Sequence, residues 1–558
     1  MKSLIVGTRG SSLSLAQTRI VTERLAALLP ELQIEVRTIK TKGDIYKEEK
    51  LDKMEQSGVF VKEIDRQLMK GTIDIAVHSL KDIPTKQPPT IKIAAIVERA
   101  DPRDVLVSRD GIRLRDLPKN AKVGTSSLRR KGQLLAFRND LDVVEMRGNV
   151  DSRIAKLDAG EYDAIVLAAA GMGRLGLSDR IVEYMPLETM LPAPGQGALA
   201  VEIKEGNREV EEIVAKIDDV DARLSTLAER TVLSRIGGGC SVLLGVLATV
   251  GRKRIGLRAR ITSEDGKRSY DYEHEGSAEF PEESGLTLAE KILMSGASDL
   301  VGDRKSDSAL NAKIVVVTRE EEPGEGICQI LMEKGAIPVY FPTIRTEKLD
   351  TRKYKAPASL DQYNFIIITS KRSVESLSQF ANGKRLPSGT KLVAIGDETK
   401  KELEEYGFPV DHVPADPYAE SISKDMGALE GKRVLIINSA RAQNRLADDF
   451  ASNGASVDRV TPYTTRQRSV SDERKSCLLG YASDFVTFAS PSAVEGFIGI
   501  LGGDAKGMLS KTRVVCIGDT TAMACKKAGV PVSVIAKNHS LEGMALEMER
   551  ELEYGADV

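Results

Sequence analysis

Through the first 245 residues, short β-branched runs alternate with stretches whose apolar residues recur every third or fourth position, the pattern of parallel sheets covered by helices. Leu4–Val6, Ile34–Ile39, Ile73–Val77, Ile91–Ile96, Val105–Val107, Val143–Met146 and Ala164–Ala168 read as strands. Ser11–Leu29 reads as a helix: Ser11 or Ser12 caps it, Leu13, Ala16, Ile20 and Ala27 share one face, and Pro30 ends it. Residues 246–300 change character, with the alternating runs Gly256–Ile261 and Tyr270–His274 and a helix over Leu286–Met294, a small α+β unit. The polar stretch Ser295–Lys313 reads as a linker.

Beyond the linker the chain repeats itself with a period of about 120 residues. Phe365–Val374 matches Phe485–Val494, Leu392–Thr399 matches Val514–Thr521, and Lys313–Thr318 matches Arg433–Asn438. Two similar α/β domains follow, and the cleft between them is the default ligand site.

At about 150 residues per domain, 558 residues predict roughly four domains. Lys and Arg total 80 against 82 Asp and Glu, which excludes a polybasic nucleic-acid wrapper and an acidic disordered tail. Aromatics at 4%, with no Trp, argue against stacking platforms for bases, so no nucleic-acid partner is expected. The five cysteines form no CxxC pair, so neither a disulfide framework nor a metal site is encoded and the compartment is read as reducing. Gly7 and Arg9 interrupt the N-terminal apolar run, and no other apolar run approaches the ~18 residues of a membrane span. The expectation is a cytoplasmic protein without a membrane partner.

The candidate chemistry is anionic recognition. Arg9 falls between a strand and a capped helix start, where unpaired N–H groups and the macrodipole favour an anion. Val123–Arg130 repeats this design but puts Arg129 and Arg130 in the first helical turn, where the dipole repels cations, a conflict that a negatively charged ligand would relieve. Arg147–Arg153 is a third copy. One such arginine is a solvated surface charge; five at equivalent strand ends, in separate loops without aromatics, point to a small polycarboxylate or phosphate rather than DNA. Asp82 follows the strand Ile73–Val77, at the edge where open α/β sheets hold ligands, and is either an acid/base or a turn carboxylate before Pro84. His78 is as readily structural. Cys240 follows three glycines and is either an accessible thiol or a small buried hydrophobe.

Thr8-Arg9-Gly10-Ser11, Phe60-Val61-Lys62-Glu63, Ala76–Pro84, Gly124–Arg130, Arg147–Arg153, Leu191–Gly197 and Gly238-Gly239-Cys240 stand in order over roughly residues 1–300 and resemble hydroxymethylbilane synthase (porphobilinogen deaminase). The resemblance implies an α/β fold of two domains like type II periplasmic binding proteins (1–97 with 195–217, and 98–194) and a small α+β domain (218–300). It implies a dipyrromethane cofactor attached through Cys240 and held by Lys81, Asp82, Ser127, Arg129, Arg130 and Gly171. Asp82 would protonate the departing amino group and stabilise the cationic azafulvene. Arg9, Ser11, Phe60, Ser79, Arg147, Arg153 and Arg174 would bind the substrate and growing chain. Ser57 stands where many members carry a lysine.

The C-terminal repeat resembles uroporphyrinogen-III synthase through Val317-Thr318-Arg319, Thr369-Ser370, Ile395-Gly396 with Thr399, Tyr463, Phe488–Ser492 and Ile517-Gly518 with Thr520-Thr521-Ala522; Asp397 and Asp519 replace the proline usual after that glycine. After a linker at 301–312, this implies one domain from 313–345 with 467–558 and another from 346–466. Tyr463 would assist departure of the terminal hydroxyl, and Thr399, Ser490 and Thr521 would hold carboxylates. Together the resemblances imply a monomeric enzyme, transferase and lyase in one chain. It would polymerise four porphobilinogen to hydroxymethylbilane with loss of ammonia, then close the product to uroporphyrinogen III with inversion of the last ring. The alternatives are a deaminase whose C-terminal half is a non-catalytic scaffold, or an N-terminal half that only captures an anion.

Overall fold

The computed structural model describes residues 3–39, 61–88, 90–237, 243–295, 297–300, 307–321, 326–349, 357, 359–382, 385–414, 422–423, 425–442 and 444–554. Ser57, Phe60 and Cys240 lie outside them. Among the described residues the strands form five sheets.

The first sheet has the order Gln33–Ile39, Ser3–Arg9, Ile75–Ser79, Leu199–Lys204 and Ile91–Val97, with Leu199–Lys204 antiparallel to both its neighbours. The second repeats the design: Asp142–Val144, Lys122–Gly124, Ala164–Ala168, Asp104–Ser108 and Glu183–Tyr184, with Asp104–Ser108 antiparallel to both neighbours. The chain crosses between these sheets twice, and the crossings touch where Ala100 N donates to Gly197 O at 3.3 Å. Gly197 has φ +94, and an added Cβ would stand 2.3 Å from Ala100 O, so only glycine allows this approach.

The third strand differs from the run Ile73–Val77: it spans Ile75–Ser79. Asp74 exchanges bonds with Ile5 at its start, and pairing with Leu199 extends the ladder to Ser79, so the partner strand sets the end. Val143–Met146 is cut to Asp142–Val144 because its only neighbour, Lys122–Gly124, is three residues long.

The third sheet is antiparallel (Leu244–Gly251, Arg254–Thr262, Ser269–Ser277) and carries the helices Val220–Ile236 and Pro281–Leu293 on its apolar face. Gly285 lets the two helices close together: a Cβ there would meet Ala228 O at 2.5 Å.

The C-terminal region builds two more sheets. One is wholly parallel: Ile337–Tyr340, Ile314–Val317, Phe485–Phe488, Arg513–Cys516 and Val534–Ile535. The other has the order Ile344–Lys348, Ser456–Gln467, Arg433–Ser439, Phe365–Ile368 and Lys391–Ala394. The two crossings between them run side by side, with Arg468 N donating to Thr343 O at 3.0 Å.

The two halves of the chain share an interface. The Arg474 guanidinium donates from both terminal nitrogens to Glu290 at 2.6 Å, and to Thr287 Oγ1 and Tyr340 O. The Tyr481 phenol donates to Glu290 at 3.0 Å. Leu286 joins the apolar core under the parallel sheet. Within the expected linker, Leu310 is fully buried in that core.

Candidate active sites

Asp82 lies on a single 3-10 turn, Leu80–Asp82, directly after the strand Ile75–Ser79, with its side chain exposed. From the helix Val220–Ile236, the Arg230 guanidinium donates to the carbonyls of Leu80 (3.4 Å), Ile83 (2.9 Å) and Pro84 (2.8 Å). Three bonds from one planar group fix the backbone on both sides of Asp82. Arg230→Met should therefore lower turnover about tenfold with little change in KM. Steady-state rates check this, and an unchanged rate would show that the turn holds itself.

Beside Asp82, Lys81 donates to Gln196 Oε1 at 3.3 Å. Gln196 in turn donates to Asp104 Oδ1 at 3.0 Å and to Pro102 O. Asp104 is fully buried and takes Arg129 Nη1 at 2.7 Å and Arg130 Nη2 at 2.7 Å. Burial works against its charge, yet the two guanidiniums outweigh burial and hold the carboxyl below the usual range. Ser127 caps the helix Leu128–Phe137. The crowding of cations in its first turn is relieved in part by the protein's own Asp104, a partner the sequence did not reveal beside the expected anionic ligand. Two guanidiniums on one carboxylate still leave a surplus positive charge.

Burial lowers the Lys81 pKa, and Asp82, Arg130, Asp104 and Arg129 act on it in turn, so groups from both N-terminal sheets meet here. Burial, then Arg130, brings Arg153 down to about 10; it donates to Gly148 O and Ser126 Oγ. Burial alone brings Arg174 to about 10, and it donates to Gly197 O at the crossing. Ser11 caps the helix Ser12–Leu28, and Ser79 accepts from Gln17 at 2.7 Å. Gly171 lies in the helix Ala169–Arg174. Arg147 stands apart, exposed and paired with Glu145 at 2.7 Å. With Lys81, Arg129, Arg130 and Arg153 set against Asp82 and Asp104, the donor set suits a ligand with several carboxylates.

Sequence reasoning missed Asp104, Gln196, Arg230 and the pairing of Arg99 with the buried Glu229. Glu229 takes two bonds from Arg99, at 2.6 and 3.0 Å, and one each from Gly195 N and Ala248 N, tying the crossings to the third sheet. Its signal was a glutamate inside an otherwise ordinary helix, which reads as a surface residue.

Behind the third strand, ligand atoms of Asp65, His78 and Glu202 gather within 4.8 Å of one another. Burial, then Arg9, brings His78 down to about 4, while burial, then Asp65, pushes Glu202 up to about 8. Between pH 6.5 and 8 folded Glu202 keeps a proton that the unfolded chain has lost, so stability falls as pH rises, by up to about 1.4 kcal/mol per pH unit. His78 acts in the opposite direction, but only below 6.5. Thermal melts should show a midpoint declining from pH 6.5 to 8 that Glu202→Gln flattens; an equal decline in both proteins would remove Glu202 as its cause.

In the C-terminal half, the strand ends of the two sheets face each other: Arg319 lies 4.0 Å from Glu398, and Arg372 3.3 Å from Glu320. Tyr463 is 7% exposed, with its phenol 2.7 Å from Ser370 Oγ. Ser490 caps the helix Pro491–Leu501. Thr399 and Thr521 are 4% and 2% exposed in the first turns of Asp397–Glu405 and Asp519–Lys527. The starts of these helices carry backbone N–H groups that suit a carboxylate arm. Asp397 and Asp519 open the same helices and are exposed, placing negative charge where such an arm would dock.

Residues 4–212 match the family model for the porphobilinogen deaminase dipyrromethane cofactor-binding domain, 224–294 the porphobilinogen deaminase C-terminal domain, and 327–545 uroporphyrinogen-III synthase HemD. A porphobilinogen deaminase from Syntrophomonas wolfei is 44% identical over 301 residues, covering 54% of this chain and 98% of that protein. One from Thermus thermophilus is 47% identical over 302 residues, covering 54% and 99%. A crystal structure of a mutant uroporphyrinogen III synthase, also from Thermus thermophilus, aligns with 43% of this chain and 99% of its own, at 20% identity and a TM-score of 0.34.

Proposed function

The chain belongs to the porphobilinogen deaminase family, and from that premise we propose which of its residues run its two reactions. It is a bifunctional enzyme of tetrapyrrole biosynthesis: it polymerises four porphobilinogen to hydroxymethylbilane with release of ammonia, then cyclises the product to uroporphyrinogen III. Its cofactor is dipyrromethane, which when bound supplies the ring to which the first substrate is joined. Cys240 is the proposed attachment point.

In this reading Asp82, exposed on a turn that Arg230 clamps, gives a proton to the leaving amine and faces the positive charge that its departure creates. Lys81, Arg129, Arg130 and Ser127, with Gly171, hold cofactor carboxylates; Arg9, Ser11, Phe60, Ser79, Arg147, Arg153 and Arg174 guide the growing chain. The observation that carries it is the bonded chain from Lys81, next to Asp82, through Gln196 to Asp104 and the guanidiniums of Arg129 and Arg130. In the second half, Tyr463 with Ser370 serves the departing hydroxyl, and Ser490 and the helix starts at Thr399 and Thr521 take carboxylates.

Sheet membership supports dividing the first half into 1–97 with 195–217, 98–194 and 218–300, and the second into 313–345 with 467–558 and 346–466, joined at 301–312. Among the described residues no helix is long and apolar enough to cross a membrane. A cytoplasmic monomer without a nucleic-acid partner completes the proposal; light scattering should give the single-chain mass of 60.6 kDa.

The decisive experiment incubates the purified chain with porphobilinogen and separates the uroporphyrinogen isomers. Type III product is expected. Type I alone, also from added hydroxymethylbilane, would reduce the C-terminal half to a scaffold.

A further inference from the structure

A cavity of about 210 Å³ lies between the two halves, apart from both sites described above. Lys86, Arg235 and Gly237 line one wall; Met332, Pro338 and Tyr340 line the other. Lys86 is four residues beyond Asp82, so one wall adjoins the segment that carries the proposed acid of the first reaction. The opposite wall belongs to the first C-terminal sheet and its covering helix Gly326–Glu333.

The lining has the chemistry of an aromatic anion site. The Arg235 guanidinium sits 3.7 Å over the Tyr340 ring, and a stacked guanidinium is held by its face while its N–H edges point outward. Leu233, Leu293 and Met332 give apolar surface. Glu290 also lines the space, but Arg474 holds its charge at 2.6 Å. The volume suits one substituted ring rather than a four-ring chain.

We propose that this cavity is a transit site that takes a carboxylate-bearing pyrrole ring of the linear product between its release from the first site and its capture by the second. The proposal rests on the two-reaction reading above. Holding one ring here keeps the product at high effective concentration near the second site, against spontaneous closure in solution.

Met332→Trp fills the cavity from one wall, and Arg235→Leu removes its cation from the other. With porphobilinogen as substrate, each variant should at least double the share of type I isomer relative to the unaltered chain. Ammonia release, and cyclisation of added free hydroxymethylbilane, should stay at the unaltered rates. An unchanged isomer ratio in both variants overturns the transit site. So does a rise accompanied by an equal loss of cyclisation of the free substrate. Failure of the underlying reading is a separate result: the unaltered chain would itself yield only type I isomer.

Discussion

Asp82→Asn should slow formation of linear tetrapyrrole by about 10²–10⁴-fold while leaving the fold intact. Asparagine keeps the shape of the side chain and loses both its charge and its exchangeable carboxyl proton. The turn Leu80–Asp82 is held by backbone carbonyls bonded to Arg230, not by the Asp82 side chain, so the substitution acts on chemistry rather than placement. Its electrostatic cost is compounded by the surroundings: without Asp82, the cations Lys81, Arg129 and Arg130 are set against Asp104 alone among the carboxylates that act on Lys81, a field that disfavours a cationic reacting centre. Single-turnover release of ammonia from porphobilinogen measures the step. A rate equal to that of the unaltered protein would remove Asp82 from the reaction, and with it the proposed first site.

Arg474→Leu should destabilise the junction between the halves by about 3–5 kcal/mol, because it strands the Glu290 carboxylate in a buried place without its guanidinium. The loss exceeds the worth of the pair itself: Glu290→Leu with Arg474→Leu should recover much of it, since two apolar side chains then replace two charges taken out of water. Calorimetry checks both. The single variant should split or broaden the unfolding transition as the C-terminal half melts earlier, and the double variant should restore it. Identical melts for all three proteins would mean that the junction carries no stability.

Much of the architecture was legible in the sequence, because apolar periodicity and the internal repeat report local structure and need no knowledge of partners. Strand ends were less so. Ile75–Ser79 runs two residues further than its apolar run because Leu199, over a hundred residues away, completes the ladder, and Leu199–Lys204 itself escaped notice with Glu202 at its centre. Among the candidate site residues, Arg129, Arg130 and Asp82 were singled out by type and position and Lys81 through the family resemblance, and the folded chain brings them within electrostatic reach. Their supports were not legible. Asp104, Gln196 and Glu229 are buried polar residues whose value lies in partners distant in sequence, and Arg230 works through carbonyls that every residue has. Asp104 as the partner of Arg129 and Arg130 was hidden for the same reason: the carboxylate that shares their charge comes from another strand.

The paired crossings at Thr343 and Arg468 have a mechanical consequence. The parallel sheet is anchored to the N-terminal half through Arg474, Glu290 and Leu286, whereas the sheet between 344 and 467 hangs from those two adjacent strands of chain. Opening of the second cleft would then swing a single jaw on a stationary base and part the pairs Arg319–Glu398 and Arg372–Glu320. A pair of fluorescent labels, one on each side of that pivot, would follow each turnover without disturbing the chemistry upstream.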